Sequence, residues 1–203
     1  MAKKKYSEDD KENIRRELLD IGMDLFIERG IRNTTLADII QKVGISKPYF
    51  YTFFASYGEL IGAIIERQRM IGLQLADRVL ADDEIPFEDE VYVFLLDLLD
   101  NSKFPILMMD PDDTEYVFNQ QNHHVYSNFQ KNHAGYYEML MLRFGIPSGK
   151  IDPRLFGNLY MILLRYIYAD EKNLLFMFHE ERDATLQSIT KMLADYLTGI
   201  REK

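Results

Sequence analysis

The chain has 203 residues, 47% hydrophobic and 13% aromatic, with no cysteine and a net charge of −9. It is long enough to bury a core as one large domain or two small ones. The missing cysteines exclude a disulfide framework, a thiolate metal site and a cysteine nucleophile. The charge is uneven: residues 1–56 hold ten Lys/Arg against nine Asp/Glu, and residues 57–203 hold fourteen against twenty-four. An acidic body repels phosphate, so any nucleic-acid contact is confined to the near-neutral N-terminal end.

Residues 1–7 read as a basic arm carrying Lys3, Lys4 and Lys5, able to track phosphates or simply to solubilise. The arm has no apolar core of a secretory signal. No apolar run in the chain approaches the about 20 residues of a membrane span, so a cytoplasmic protein is expected. Residues 8–29 predict the first helix. Ser7 is positioned to cap it, Glu8, Asp9 and Asp10 suit its positive end, and Ile14, Leu18, Ile21, Leu25 and Phe26 form one apolar stripe.

Residues 34–54, TTLADIIQKVGISKPYFYTFF, predict two short helices around a tight turn. Thr35 with Asp38 three residues on has the spacing of a capping box. Leu36, Ile39, Ile40 and Val43 recur at helical spacing, and Gly44 supplies the left-handed conformation that ends a helix. Ser46 caps the second helix, whose first turn tolerates Pro48. Phe50 and Phe54, four apart, anchor it inward and leave Lys47, Tyr49, Tyr51 and Thr52 pointing elsewhere. This is the plan of a helix-turn-helix.

A fourth helix is expected over 56–81, a fifth ending near Ser102, and a further helical stretch over 112–143 in which Gly135 is placed to kink. Another helix runs from about Asp152 to Ala169, and the last from about Asp183 to Ile200. No stretch alternates with period two, so no sheet is expected. The fold class is all-α, with a helix-turn-helix head at 1–55 and a helical ligand-binding and dimerisation body at 56–203.

The ordered positions Thr-Thr-Leu-x-x-Ile, Val-Gly-Ile-Ser-Lys and Phe-Tyr-x-x-Phe resemble the DNA-binding signature of TetR-type transcriptional regulators. The resemblance covers residues 14–60. It implies a sequence-specific, ligand-responsive regulator of a double-stranded DNA operator, a repressor released by a small hydrophobic or aromatic inducer. It implies contacts from Thr34, Thr35, Ser46, Lys47, Pro48, Tyr49, Tyr51 and Thr52. Tyr51 would donate its hydroxyl to a phosphate, Thr35 would meet the backbone, and Lys47 and Tyr49 would read sequence. Three positions depart from the family pattern: Tyr49 where a small residue is usual, Phe53 where His or Tyr is common, and Tyr57 where a phosphate-binding Lys is usual.

The aromatic and methionine residues of the body suit an adaptable apolar pocket. Its candidate lining is Tyr92, Phe104, Met108, Tyr116, Tyr126, Phe129, Tyr137, Met141 and Tyr160, although a Met or aromatic at helical spacing is usually core. The apolar stripes of the last two long helices predict a homodimer through a four-helix bundle.

No cofactor or metal is expected. His123, His124 and His133 lack a partner at ligand spacing. GIPSGKI at Gly145 has three residues between its glycines where a phosphate-binding loop needs four. No catalytic constellation is visible, so an enzyme is not expected. The competing class is an all-helical protein-interaction adaptor that has lost DNA binding.

Overall fold

A computed structural model describes residues 7–99, 111–119, 123–168 and 178–201. All its regular elements are helices: α1 (Glu8–Arg29), α2 (Leu36–Val43), α3 (Lys47–Phe50), α4 (Tyr57–Leu80), α5 (Glu90–Leu99), α6 (Pro111–Asn119), α7 (His123–Arg143), α8 (Pro153–Tyr168) and α9 (Arg182–Thr198). A 3-10 turn, His179–Glu181, leads into α9. The all-α expectation holds among the described residues. The span 112–143, one helical stretch by spacing, is described as α6 and α7. Gly135 lies within α7.

The chain forms two compact units: Met1–Gln68 with Leu107–Tyr126, and Arg69–Ile106 with Ser127–Lys203. By sequence, α4 contributes its first half to one unit and its second half to the other.

In the first unit, Leu18, Leu25, Phe26, Ile31, Ile39, Phe50, Leu60, Ile61 and Ile64 are fully buried or nearly so. Burying such side chains supplies about 1.5–3 kcal/mol each. Gly22 lets α1 approach α4 closely, since a Cβ there would stand 2.5 Å from Ile64 Cδ1. Val117 of α6 is buried in the same unit.

In the second unit, the rings of Phe94 and Phe144 meet at 5.0 Å, and α9 packs on α5 and α8. A denser aromatic cluster joins α7 to α8. Tyr137 stands 5.8 Å from Phe156 and 5.7 Å from Tyr160 between ring centroids, both edge-on. Two glycines admit these rings: a Cβ on Gly72 would meet the Tyr136 hydroxyl, and one on Gly157 would meet the Tyr137 ring. Arg201 is buried after α9. Its guanidinium lies 3.5 Å from the Phe87 ring centre and pairs with Glu90 at the start of α5.

Candidate nucleic-acid interface

Local hydrogen bonds build the head. The Ser7 hydroxyl accepts the Asp10 backbone N–H at 3.0 Å, and Asp10 accepts that of Ser7 at 2.9 Å. At α2 the same reciprocal box closes between Thr35 and Asp38: Asp38 donates its N–H to Thr35 Oγ1 at 3.2 Å and accepts the Thr35 N–H at 2.8 Å. The Thr35 hydroxyl also donates to Asp38 at 2.6 Å. These hydrogen bonds from the Thr35 side chain and backbone hold the Asp38 carboxyl below its ordinary range. Gly44 ends α2 at φ +77°, ψ +28°, the left-handed region that an L side chain enters at a cost. Ile45 then donates its N–H to Ile40 at 3.1 Å and closes the turn.

Ser46 starts α3 with its hydroxyl accepting the Tyr49 N–H at 3.4 Å, and Pro48 occupies the first turn. The helix is only four residues long, so tertiary anchors hold it rather than propagation. Phe50 and Phe54 are those anchors: both are buried, their rings stack 5.8 Å apart, and Arg15 of α1 lies over Phe54. Lys47, Pro48, Tyr51 and Thr52 are exposed, with Tyr51 48% accessible. The Thr52 hydroxyl donates to the Tyr49 carbonyl at 2.7 Å.

Two expected contact residues face inward. Thr34 is 1% exposed, and its hydroxyl donates to the carbonyls of Gly30 at 3.0 Å and Leu25 at 3.3 Å. Its hydroxyl is therefore a brace between α1 and the following turn. Tyr49 is half-buried, its ring lies edge-on to Phe53 at 5.2 Å, and its hydroxyl oxygen is screened from solvent.

Tyr57, the residue that replaces the family's lysine, also turns to internal work. Its hydroxyl donates to the Thr34 carbonyl at 2.7 Å, and burial pushes its pKa up. Asp112 and Asp113 of α6 meet Arg32 in the same region. Sequence reasoning assigned no role to Arg32 or Asp113, and nothing in either neighbourhood signals a pairing across 81 positions.

The residues expected to line a pocket separate. Tyr137, Met141 and Tyr160 are buried in the second unit. Tyr92 lies at the α5–α9 contact with the Lys191 ammonium 5.3 Å from its ring centre. Tyr116 belongs to the first unit, on α6. Phe104 and Met108, the side chains of Tyr126 and Phe129, and the N-terminal lysines lie outside the described residues. Burial raises the pKa of Tyr136 to about 12 despite a hydrogen bond with Tyr160, and raises that of Tyr137 further. No group of three or more metal-ligating side chains occurs among the described residues.

The geometry is that of an all-α protein whose N-terminal head is a helix-turn-helix. Residues 18–64 match the family model described as "Bacterial regulatory proteins, tetR family". No curated protein matches the chain in sequence. Solved structures match over nearly their whole length. A TetR-family transcriptional regulator from Pectobacterium atrosepticum is 18% identical, with 98% of this chain and 99% of that one covered and a TM-score of 0.51. E. coli NemR in its reduced form is 13% identical, over 93% and 98%, with a TM-score of 0.54. A putative TetR-family regulator from Syntrophomonas wolfei is 16% identical, over 91% and 96%, also at 0.54. These likenesses establish the fold. The match over residues 18–64 shows that the head resembles that of bacterial regulatory proteins of the tetR family.

Proposed function

We propose that the chain is a homodimeric repressor that leaves its operator when a small hydrophobic or aromatic ligand occupies the body. The carrying observation is the head: two capped helices around a left-handed glycine, with Lys47 and Pro48 exposed on α3 and Tyr51 and Thr52 exposed just after it. Lys47 at the start of that helix reaches base edges and phosphate, Tyr51 donates to phosphate, and the capped N-termini at Thr35 and Ser46 add backbone N–H groups. Thr34 and Tyr49 support this surface from within instead of touching DNA.

Homodimerisation is supported by apolar side chains left outside on the last two long helices: Leu155 and Ile162 on α8, and Met192 and Tyr196 on α9. A two-fold axis through them would pair four helices and set the two heads about 34–36 Å apart, or a multiple of that, for successive major grooves. The cluster of Tyr136, Tyr137, Phe156 and Tyr160 supports an aromatic ligand, which would act only through unequal affinity for two dimer geometries. No helix among the described residues is long and apolar enough to cross a membrane, and a cytoplasmic site of action fits this reading.

Selection of bound sequences from random duplex DNA, with and without hydrophobic ligands, tests the reading. An enriched duplex whose binding a ligand weakens is the expected result. A stable monomer by light scattering at micromolar concentration, or no enriched duplex, would overturn it.

A further inference from the structure

Asp113 is a deeply buried carboxylate of the first unit, its side chain 7% exposed. It accepts the Arg32 backbone N–H at 3.0 Å and faces the Arg32 guanidinium Nε at 3.4 Å. Asp112, exposed beside it, takes Arg32 Nη1 at 2.9 Å. The Asp113 carboxylate also covers Gly30, standing 3.5 Å from where a Cβ would be. At the other end of the turn, the Tyr57 hydroxyl donates to the Thr34 carbonyl at 2.7 Å. Positions 113, 116 and 117 share one face of α6. The turn over residues 30–34 is therefore held at both ends, by Asp113 on Gly30 and Arg32 and by Tyr57 on Thr34. The next residue, Thr35, caps α2.

We propose that Asp113, assisted by Asp112, is a positioning residue for DNA binding: its grip on Arg32 sets the pose of the turn that presents the N-terminus of α2 to phosphate. The inference rests on the DNA-binding reading above. A buried carboxylate with two donors on one residue fixes both a backbone N–H and a side chain. Without it the turn must be ordered during binding, and the entropy of that ordering is subtracted from affinity. No phosphate contact is removed, so the salt dependence of binding stays as it was. In sequence, residues 107–126 are flanked on both sides by residues of the second unit. The holder of the turn is thus joined twice, through the chain, to the unit that carries the proposed ligand cluster.

The test uses the full chain and a duplex that the parent selects from a random pool, followed by fluorescence anisotropy across salt concentrations. Asp113→Asn keeps the shape and removes the charge. We expect about ten-fold weaker binding with an unchanged salt slope. Asp112→Asn, at an exposed carboxylate, leaves the fold intact and weakens binding less. Arg32→Gln combined with Asp112→Asn binds no worse than Arg32→Gln alone, because both remove one contact. If Asp113→Asn fails to fold, Asp112→Asn and this cycle carry the test. Parent-like affinity in the aspartate variants would overturn the clasp. So would tighter binding with a salt slope that Arg32→Gln lowers by about one, which would make the carboxylates competitors of phosphate for Arg32. A parent that selects no duplex sinks the DNA-binding reading and the clasp together, whereas a parent that binds beside unaffected variants sinks the clasp alone.

Discussion

Asp38 shows how one side chain does two jobs at the head. It returns the Thr35 N–H and receives the Thr35 hydroxyl, so its charged form is favoured in the folded state. A carboxyl whose folded pKa is depressed stabilises above its unfolded value and loses that contribution as pH falls through the folded one. The α2 cap is therefore intact at neutral pH and weakens only below the ordinary value of 3.8. A carboxyl-carbon NMR titration should place Asp38 below that value, and Thr35→Ala should return it upward. At Gly44, φ +77° makes any side chain strained although nothing crowds the position. Gly44→Ala should cost about 1–2 kcal/mol in urea unfolding. Lys47→Ala should weaken operator binding and lower the salt slope by about one, and Tyr51→Phe should weaken it with little change in slope.

At the scale of elements, what could be read in the sequence was what closes within a few residues. The Ser7 cap, the box at Thr35–Asp38, the Gly44 stop and the Ser46 cap each bind partners three or four positions away. Their spacing therefore predicts them, and α1 and α4 match expectation to within a residue at each end. The directions of Thr34 and Tyr49 were not legible, because α1 and Phe53 decide them by packing. The pairing of Asp113 with Arg32 was hidden for the same reason: it depends on where α6 lies, which no local pattern encodes. Tyr137 against Gly157 is a similar case. Helical periodicity marks Tyr137 as apolar but cannot show that its ring needs a missing Cβ on α8. Gly157→Ala would force that ring aside and should cost about 1–3 kcal/mol in stability, measured by urea unfolding.

The whole molecule should respond to alkaline pH. Burial holds the folded pKa values of Tyr136 and Tyr137, and of the half-buried Tyr57, above the ordinary 10.0, that of Tyr136 at about 12. Between those values the unfolded chain ionises while the folded chain keeps its protons. Stability then falls as pH rises, by about 1.4 kcal/mol per pH unit for each of Tyr136 and Tyr137 and by less for the partly exposed Tyr57. Urea midpoints from pH 8 to 11 should decline, and Tyr137→Phe should flatten the decline. The charge distribution acts on the same scale: with the acidic residues concentrated after residue 56, only the head is free of strong repulsion from DNA.

The Arg201 clasp has a consequence for fraying. The last turn of a helix ordinarily opens and closes on its own, and its amides exchange rapidly with solvent. Here the guanidinium just beyond α9 donates to the Phe87 carbonyl, stacks on the Phe87 ring and pairs with a largely buried Glu90. The end of α9 can therefore open only by also undoing the start of α5, so two distant stretches of backbone share one opening event. Amides near residues 198–201 and near residue 90 should exchange at matching, slow rates. Arg201→Met, which leaves the Glu90 carboxylate buried without its cation, should speed both and cost about 3–5 kcal/mol.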